Sequence, residues 1–192
     1  IDYMRYEYKV EVKVDEGVDS NSGAGTYDKG ADATVAYTLK DGYDLVSITV
    51  DGEDKTKDAS ALIFREIAAN HKVVIVTQKS DAKYTVTHKY FVTDPDGVEK
   101  ETSDTFTTEE IVGKHGDVIV SADIAAVTTG AESGKKYTET SRTGDITLSK
   151  DEVKNITINY MRYEYKVEVE VDEGVDSNSG AGTYDKGADA TV

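Results

Sequence analysis

One segment occurs twice in the chain, and this repeat limits the possible folds more than any other feature. Tyr3–Val35 returns as Tyr160–Val192, so the period is 157 residues. Extended back to Ile1 and Ile158, the copies differ at two positions only, Asp2 against Asn159 and Lys13 against Glu170. Separate domains of one protein normally diverge much further. Near-identity therefore predicts a tandem array, of which this chain holds one period and part of the next.

The repeated segment begins with a strict alternation of apolar and charged residues. From Met4 to Val14 every second residue is apolar, which is the period of a strand with one face in a core. Tyrosine, valine and threonine are frequent, and these residues fit a pleated, half-buried surface. The sequence therefore predicts a mainly β fold, built as tandem small β-sandwich modules joined end to end in an elongated rod.

The alternation changes phase at Tyr160–Met161, where one module's last strand is predicted to become the first strand of the next. The same change of phase occurs at Tyr3–Met4, the equivalent position in the first copy, and marks a module boundary there. The predicted divisions are residues 1–5 as the last strand of a preceding module, 6–80 as module A, 81–162 as module B, and 163–192 as the N-terminal half of a second module A. Such a join without a flexible linker predicts stiffness.

Further elements follow from short apolar runs between turn residues. We expect a polar loop over Asp15–Asp32 and one short helical turn beginning at Thr107–Glu110, where the spacing is that of a capping box. The expected strands in both modules include Thr34–Leu39, Tyr43–Val50, Ala61–Ile67, Lys72–Gln78, Val98–Phe106, Asp117–Ala122, Lys136–Thr140, Asp145–Leu148 and Lys154–Tyr160.

The charge balance excludes some partners and the missing cysteine excludes some sites. A formal net charge of −16 repels phosphate backbones and anionic lipid, so we expect no binding to nucleic acid or to membrane surfaces. No apolar run approaches the ~20 residues of a membrane span, so we expect no membrane insertion. Without cysteine there is no disulfide and no thiolate metal site. An isopeptide crosslink between a lysine and an asparagine would be another way to stabilise such strands. It also requires a nearby acidic residue, and the sequence alone identifies no such set of three residues.

Two groups of motifs resemble known families. Within Tyr84–Met161, the runs VTHKYFVTDPDG, GKHGD and ITINYM resemble the MucBP group of Gram-positive surface proteins. In the first module, SGAGTYDKGADATV, KDGYDLVSITVDG and FREIAANHKVVIV resemble bacterial repeat modules of secreted and wall-anchored proteins. The resemblance implies a β-grasp-like module B, export, cell-wall attachment and cell adhesion, with host mucin or another glycoprotein as a possible partner beside the adjacent repeats. It assigns no ligand-contact residue.

One acidic stretch is a weak candidate for calcium. Asp15, Asp19, Asn21 and Asp28 supply the oxygen ligands that this ion takes. Ala24 stands where an EF-hand loop needs glycine, and Gly30 where it needs a bidentate glutamate. A solvated acidic loop is the favoured interpretation, and no other cofactor is expected.

Histidines and carboxylates do not combine into a catalytic pattern. His71, His88 and His115 are scattered, and His88 shares the apolar face of its strand, which predicts a packed side chain. The run Gly130–Lys135 resembles a phosphate-binding loop but precedes a predicted strand, where such a loop requires a helix. We therefore expect no enzyme.

Tyrosine is the residue type best suited to recognition. Tyr6, Tyr8, Tyr37, Tyr84, Tyr90 and Tyr137 lie on predicted strands and are assigned to the cores. Tyr3, Tyr27 and Tyr43 are predicted to be exposed and are the candidates for stacking on sugar rings.

Three functions are compatible with this pattern. The first is the stalk of an extracellular, cell-wall-anchored adhesin, which holds an adhesive head away from the surface. The second is direct binding of host glycan or mucin by each repeat, with avidity from repetition. The third and weakest is a self-assembling surface filament.

Overall fold

A computed structural model describes residues 4–58, 62–173 and 178–191. The chain is mainly β, as predicted, and it divides into two compact units. Unit 1 runs to Asp81 and includes Lys114–Gly116, and unit 2 contains 82–113 together with 117–192. The two helical turns of the described residues are short 3-10 turns at Thr56–Asp58 and Ser121–Asp123.

Unit 1 is built on a five-stranded sheet with two small two-stranded sheets. Its strands are β1 (Glu7–Val14), β2 (Val18–Asn21), β3 (Gly25–Asp28), β4 (Ala33–Val35), β5 (Tyr37–Leu39), β6 (Tyr43–Val50), β7 (Glu53–Asp54), β8 (Leu62–Phe64) and β9 (His71–Lys79). The main sheet has the order β3-β1-β9-β6-β7, while β2 pairs with β5 and β4 with β8. Its first strand β1 and its last strand β9 are parallel neighbours.

The core of unit 1 lies on one face of this sheet. Val10, Ile48, Val73 and Ile75 are buried on β1, β6 and β9, and burial alternates along each strand because the residues on either side of each of them are less buried. Val35 of β4 covers them from the other side. Burial of such side chains contributes about 1.5–3 kcal/mol each, so this alternation is what holds the unit together.

Unit 2 is also built on one main sheet, and its two longest strands are longer than any strand of unit 1. Its strands are β10 (Asp81–Thr93), β11 (Glu99–Glu101), β12 (Phe106–Thr107), β13 (Ile111–Lys114), β14 (Val118–Ile119), β15 (Thr138–Arg142), β16 (Ile146–Thr147), β17 (Val153–Val167) and β18 (Gly182–Asp185). The main sheet runs β11-β10-β17-β15; β12 and β13 also pair with β10, and β18 with β17. The parallel pair β10–β17 at its centre joins the unit's first long strand to its last.

Strand β17 passes without interruption through the predicted boundary at Tyr160–Met161. Its antiparallel partner changes there, from β15 up to Met161 to β18 from Glu164 onward. Across this boundary Arg162 continues the buried side of Tyr160, while Tyr163 and Tyr165 are exposed. Of their counterparts in the first copy, Tyr6 is exposed and Tyr8 is partly buried against the core of unit 1.

Two sequence predictions fail for an identifiable reason. The expected loop at Asp15–Asp32 contains strands β2 and β3, because pairing of backbone groups needs no apolar side chains. The expected helical turn at Thr107–Glu110 does not form. Instead, the Val86 amide donates a hydrogen bond to the Thr108 hydroxyl (3.0 Å), and the Thr108 amide donates one to the Val86 carbonyl (2.9 Å). The predicted capping residue itself, Thr107, lies on β12 and shares a hydrogen bond of 2.9 Å with the Thr87 hydroxyl.

Smaller differences concern where strands begin and end. The expected strand Thr34–Leu39 is split at Ala36 into β4 and β5, which belong to different sheets. Within Ala61–Ile67 only Leu62–Phe64 is a strand, and Ala61 lies outside the described residues. Strand β6 has the predicted bounds Tyr43–Val50.

Candidate functional site

An aromatic stack fills the centre of unit 2. Tyr90 and Tyr160 are fully buried, with ring centroids 4.7 Å apart and nearly parallel planes. Tyr137 meets Tyr90 edge-on at 4.8 Å. The buried imidazole of His88 stacks between Phe106 (4.7 Å) and Tyr160 (5.7 Å), so its prediction as a packed histidine is confirmed.

The polar atoms of this stack are satisfied inside the protein. Tyr90 donates its hydroxyl to the Val127 carbonyl (2.6 Å), and the Val127 amide donates to the Tyr160 oxygen (3.0 Å). Tyr160 and His88 Nδ1 share a hydrogen bond of 2.9 Å. Burial raises the pKa of Tyr90 to about 12, with the neighbouring Tyr160, Asp104 and Tyr137 adding to the effect. The stacked tyrosines are therefore part of the core of unit 2.

A buried carboxylate, Asp104, holds the loop that leads into β15. It accepts hydrogen bonds from the amides of Glu132 (2.8 Å) and Ser133 (2.9 Å) and from the phenol of Tyr137 (2.8 Å), and the Ser133 hydroxyl donates to it as well. Burial alone would raise the pKa of Asp104. The bonds from Ser133, Tyr137 and Glu132 outweigh burial and lower that pKa to about 2.

This arrangement gives the glycine-rich run Gly130–Lys135 a defined role. Its backbone N–H groups point at an anion, as they would in a phosphate-binding loop, but the anion is the protein's own Asp104. A Cβ atom on Gly130 would come within 2.2 Å of the Asp104 carboxylate. Glycine is thus needed here for close approach to that side chain.

Next to this loop lies a cluster that we call the joint, composed of Lys135, Tyr137, Arg162, Glu164 and Asp185. The Arg162 guanidinium donates to Glu164 (2.5 Å), Asp185 (2.6 Å) and the Tyr137 hydroxyl (3.3 Å). Lys135 Nζ donates to the other oxygen of Asp185 at 2.5 Å. Burial opposes ionisation of Asp185, but Lys135 and Arg162 together hold its pKa below the usual range.

A cleft of about 380 Å³ opens beside the joint. Its lining combines a tyrosine ring with several cations: Lys136, Tyr137, Thr138, Thr140, Met161, Arg162, Tyr163, Asp185 and Lys186. The Lys186 ammonium lies 5.7 Å from the centroid of the Tyr163 ring. In a strongly acidic chain this cleft is locally cationic, and chemically it can hold a small polar ligand that carries negative charge.

The calcium candidates are not brought together. Asp15 accepts hydrogen bonds from the Thr77 amide (2.6 Å) and hydroxyl (2.5 Å), which lower its pKa, and Asp28 pairs with Arg5. Asp19 and Asn21 lie on β2, which pairs with β5, whereas Asp28 ends β3, which pairs with β1. Among the residues that the structure describes, no group of three or more His, Cys, Asp or Glu side chains is arranged to hold a metal ion.

The predicted sugar-stacking tyrosines require correction. Tyr27 is partly buried against the core of unit 1 and donates its hydroxyl to the Gly23 carbonyl (3.0 Å). Tyr43 is also partly buried, with its hydroxyl 3.3 Å from Glu16. Tyr3 lies outside the described residues. The exposed tyrosines are Tyr6, predicted to be in the core, and Tyr163 and Tyr165 in the second copy.

The other two histidines lie in unit 1, away from any shared site. His71 bonds to Asp51 through Nδ1 (2.7 Å) and packs against Phe64, with ring centroids 4.6 Å apart. The Nε2 atom of His115 lies 4.0 Å from a carboxylate oxygen of Asp41. These contacts of His71 and His115 are made with residues of unit 1.

Two asparagine side chains of unit 2 form hydrogen bonds with hydroxyl groups. Asn155 Nδ2 donates to Thr85 (2.8 Å) and Thr87 (2.9 Å), and Asn159 Nδ2 donates to Ser141 (2.9 Å). These contacts brace neighbouring strands by hydrogen bonds.

Comparison with known proteins adds no relative. No protein-family model matches this chain. No curated protein matches it at a significant level. Within the described parts of the chain, no helix has the length and apolar character that crossing a membrane requires.

Proposed function

We propose that this chain is a segment of the repeat region of an exported, cell-wall-anchored surface protein, and that its units act as spacers in a stalk. The observation that carries the proposal is the parallel pairing of first and last long strands in both units, β1 with β9 and β10 with β17. An antiparallel pair would return the chain to the side where it began.

A parallel pair makes the chain enter a unit at one end and leave it at the other. Strand β10 has thirteen residues. At about 3.3 Å per residue, its ends are about 40 Å apart. Each unit of this kind therefore adds length to the path of the chain, which is what a spacer needs.

The join at the end of unit 2 is suited to the same role. Strand β17 continues from the buried Tyr160 into the second copy of the repeat with no linker residues. The joint fixes the direction of the continuing strand through Arg162 and Asp185. The near-identity of the copies fits a spacer, which needs length and not diversity, and the resemblance to MucBP and bacterial repeat modules supports export and wall attachment.

Small-angle scattering on this chain and on a chain lengthened by one 157-residue period tests the stalk. We expect the maximum dimension to grow by nearly the length of two units per added period. A radius of gyration that grows as for a compact globule would contradict the spacer function. Antibody labelling of intact and lysed source cells tests the surface location separately, with labelling only after lysis as the contradicting result.

A second candidate function is binding of an acidic glycan in the cleft beside the joint. The specific observation is the Tyr163 ring beside Lys136, Arg162 and Lys186. A glycan array with the Tyr163→Ala variant tests it, and Tyr6→Ala in the first copy is the matched control. Binding that Tyr163→Ala abolishes and Tyr6→Ala leaves intact would support this function, whereas no binding by the parent chain would contradict it.

A further inference from the structure

The two copies of the repeated segment form the same hairpin in two different surroundings. In the first copy Arg5 donates to Asp28 at 2.5 Å, and in the second Arg162 donates to Asp185 at 2.6 Å. The Lys29 amide donates to the Tyr6 carbonyl at 2.9 Å, and its counterpart Lys186 donates to Tyr163 at 2.8 Å. The lysine ammonium lies 5.7 Å from the tyrosine ring in both copies. The hairpin is therefore a preformed structure that does not depend on what lies next to it.

What differs is the exposure of the outer end of the hairpin. The Arg5 side chain is 72% exposed, whereas Arg162 is 13% exposed. Asp28 is 53% exposed, and Asp185 is 28% exposed. Met4 is 76% exposed, and its counterpart Met161 is half-buried. We call the surface formed by Met4, Arg5, Tyr6, Glu7 and Asp28 the open face.

The second copy shows what covers this surface. Lys135 pairs with Asp185, and Tyr137 lies against Arg162, with its ring centroid 5.7 Å from the guanidinium carbon and its hydroxyl 3.3 Å from Nε. Both covering residues belong to the loop and strand that Asp104 holds in place. In the first copy Arg5 and Asp28 retain the same ion pair and present the same groups to solvent.

We propose that the open face is a docking surface for a second copy of the fold formed by residues 82–160, whose Lys135 pairs with Asp28 and whose Tyr137 covers Arg5. Charge complementarity and identity of sequence support this occupant, because the same surface is already covered by these residues in the second copy. The inference rests on the proposed function in one respect: the copy that docks is the preceding unit of the array.

The docking stabilises the first hairpin of unit 1 and orders its outer end. The contacts that cover Arg162 and Asp185 add the Tyr137 hydroxyl as an acceptor for the guanidinium and the Lys135 ammonium as a partner for the Asp185 carboxylate. Charge-assisted hydrogen bonds of this kind strengthen as water is excluded. Exchange of the Lys29 amide, which closes the hairpin onto Tyr6, reports on this ordering.

The test compares the 192-residue chain with a chain in which residues 82–157 precede Ile1, so that the added strand runs into residues 1–5 as β17 runs into residues 158–162. Hydrogen exchange is measured at the Lys29 amide. We expect exchange to slow at least tenfold in the extended chain. Lys135→Glu in the added copy should restore the original rate. Lys83→Glu in the added copy should leave the protection in place, because Lys83 is an exposed lysine that pairs with Val153, at the opposite end of the β10–β17 ladder from Arg162.

Equal exchange rates in the two chains would overturn the inference, as would protection that Lys135→Glu does not remove. Protection of Lys29 by added mucin without protection by the extension would also overturn it and assign the face to a ligand. Scattering on the same extended chain separates this result from the stalk proposal: an elongated chain without protection leaves the stalk standing and removes the docking surface.

Discussion

The phenol of Tyr137 donates a hydrogen bond of 2.8 Å to the buried carboxylate of Asp104. This bond connects the aromatic stack of unit 2 to the loop that supplies Lys135. The ionised Asp104 therefore positions Tyr137, and the Tyr137 hydroxyl in turn accepts a hydrogen bond from Arg162. The first prediction follows from the charge of that carboxylate.

Asp104 should make the stability of unit 2 depend on acid. Its pKa is lowered from 3.8 to about 2 in the folded protein, so the unfolded state binds the proton more readily. The stabilisation is present above pH 3.8, where it is worth on the order of 2 kcal/mol, and is lost as the pH falls towards 2. We expect Asp104→Asn to lower the free energy of unfolding at pH 7 and to differ little from the parent chain at pH 2.

Denaturant unfolding at several pH values measures this difference. Other carboxylates also lose their partners in acid, so the informative quantity is the gap between variant and parent chain and not either curve alone. A gap that stays constant from pH 7 to pH 2 would contradict the assignment.

Gly130 should tolerate no side chain. A methyl group at this position would lie 2.2 Å from Asp104, and relief of that overlap must move the loop or the carboxylate. We expect Gly130→Ala to cost about 1–3 kcal/mol of unfolding free energy. Gly144→Ala is the control, because a Cβ atom there meets nothing within 4 Å. Thermal unfolding followed by near-ultraviolet circular dichroism of the buried tyrosines compares the two, and equal melting temperatures would refute the steric argument.

Arg162 and Arg5 form a natural pair of equivalent positions. Arg162→Ala removes partners from Glu164, Asp185 and Tyr137 in a largely covered cluster, and we expect a loss of about 1–3 kcal/mol. Arg5→Ala breaks an ion pair in solvent and should leave the unfolding free energy of the 192-residue chain without measurable change. Denaturant titration of both variants decides the matter. If Arg5→Ala cost as much as Arg162→Ala, exposure would not govern the contribution of this pair.

His88 should titrate below the ordinary histidine range. Burial lowers its pKa from 6.5, the charge of Arg142 acts in the same direction, and Glu139 opposes both. Because the neutral imidazole is the form that the stack accommodates, stability should fall as the pH drops below 6.5. Nuclear magnetic resonance titration of the His88 imidazole gives the midpoint. A midpoint above 6.5 would be incompatible with the stacked, buried geometry.

The sequence predicted the long strands because their apolar residues alternate, and Tyr43–Val50 was placed with its observed bounds. It missed β2 and β3, whose pairing depends on backbone groups and turns and leaves no apolar pattern. Core positions for Tyr90 and Tyr137 were predicted, but Tyr6 was placed in a core that does not reach it. Strand assignment therefore follows from side-chain period, while the extent of the core depends on what packs against the strand.

The joint could have been found from one signal in the sequence. Arg162 has the same parity as Ile156, Ile158 and Tyr160, so regular alternation places an arginine on the buried side of β17. A buried guanidinium requires acceptors, which directs attention to nearby carboxylates. Which carboxylates and which tyrosine satisfy it could not be deduced, because Lys135, Tyr137 and Asp185 are distant in sequence and meet only through the fold.

The parallel ladder between β10 and β17 also determines how unit 2 responds to a pulling force. A force applied along the chain acts on the start of β10 and on the far end of β17, so it loads the hydrogen bonds from Lys83–Val153 to Thr93–Tyr163 in shear. These bonds must yield together, whereas a hairpin pulled at its two neighbouring ends opens one bond at a time like a zipper. In the stalk that we propose, tension along the chain would therefore act on this sheet in its mechanically strong direction.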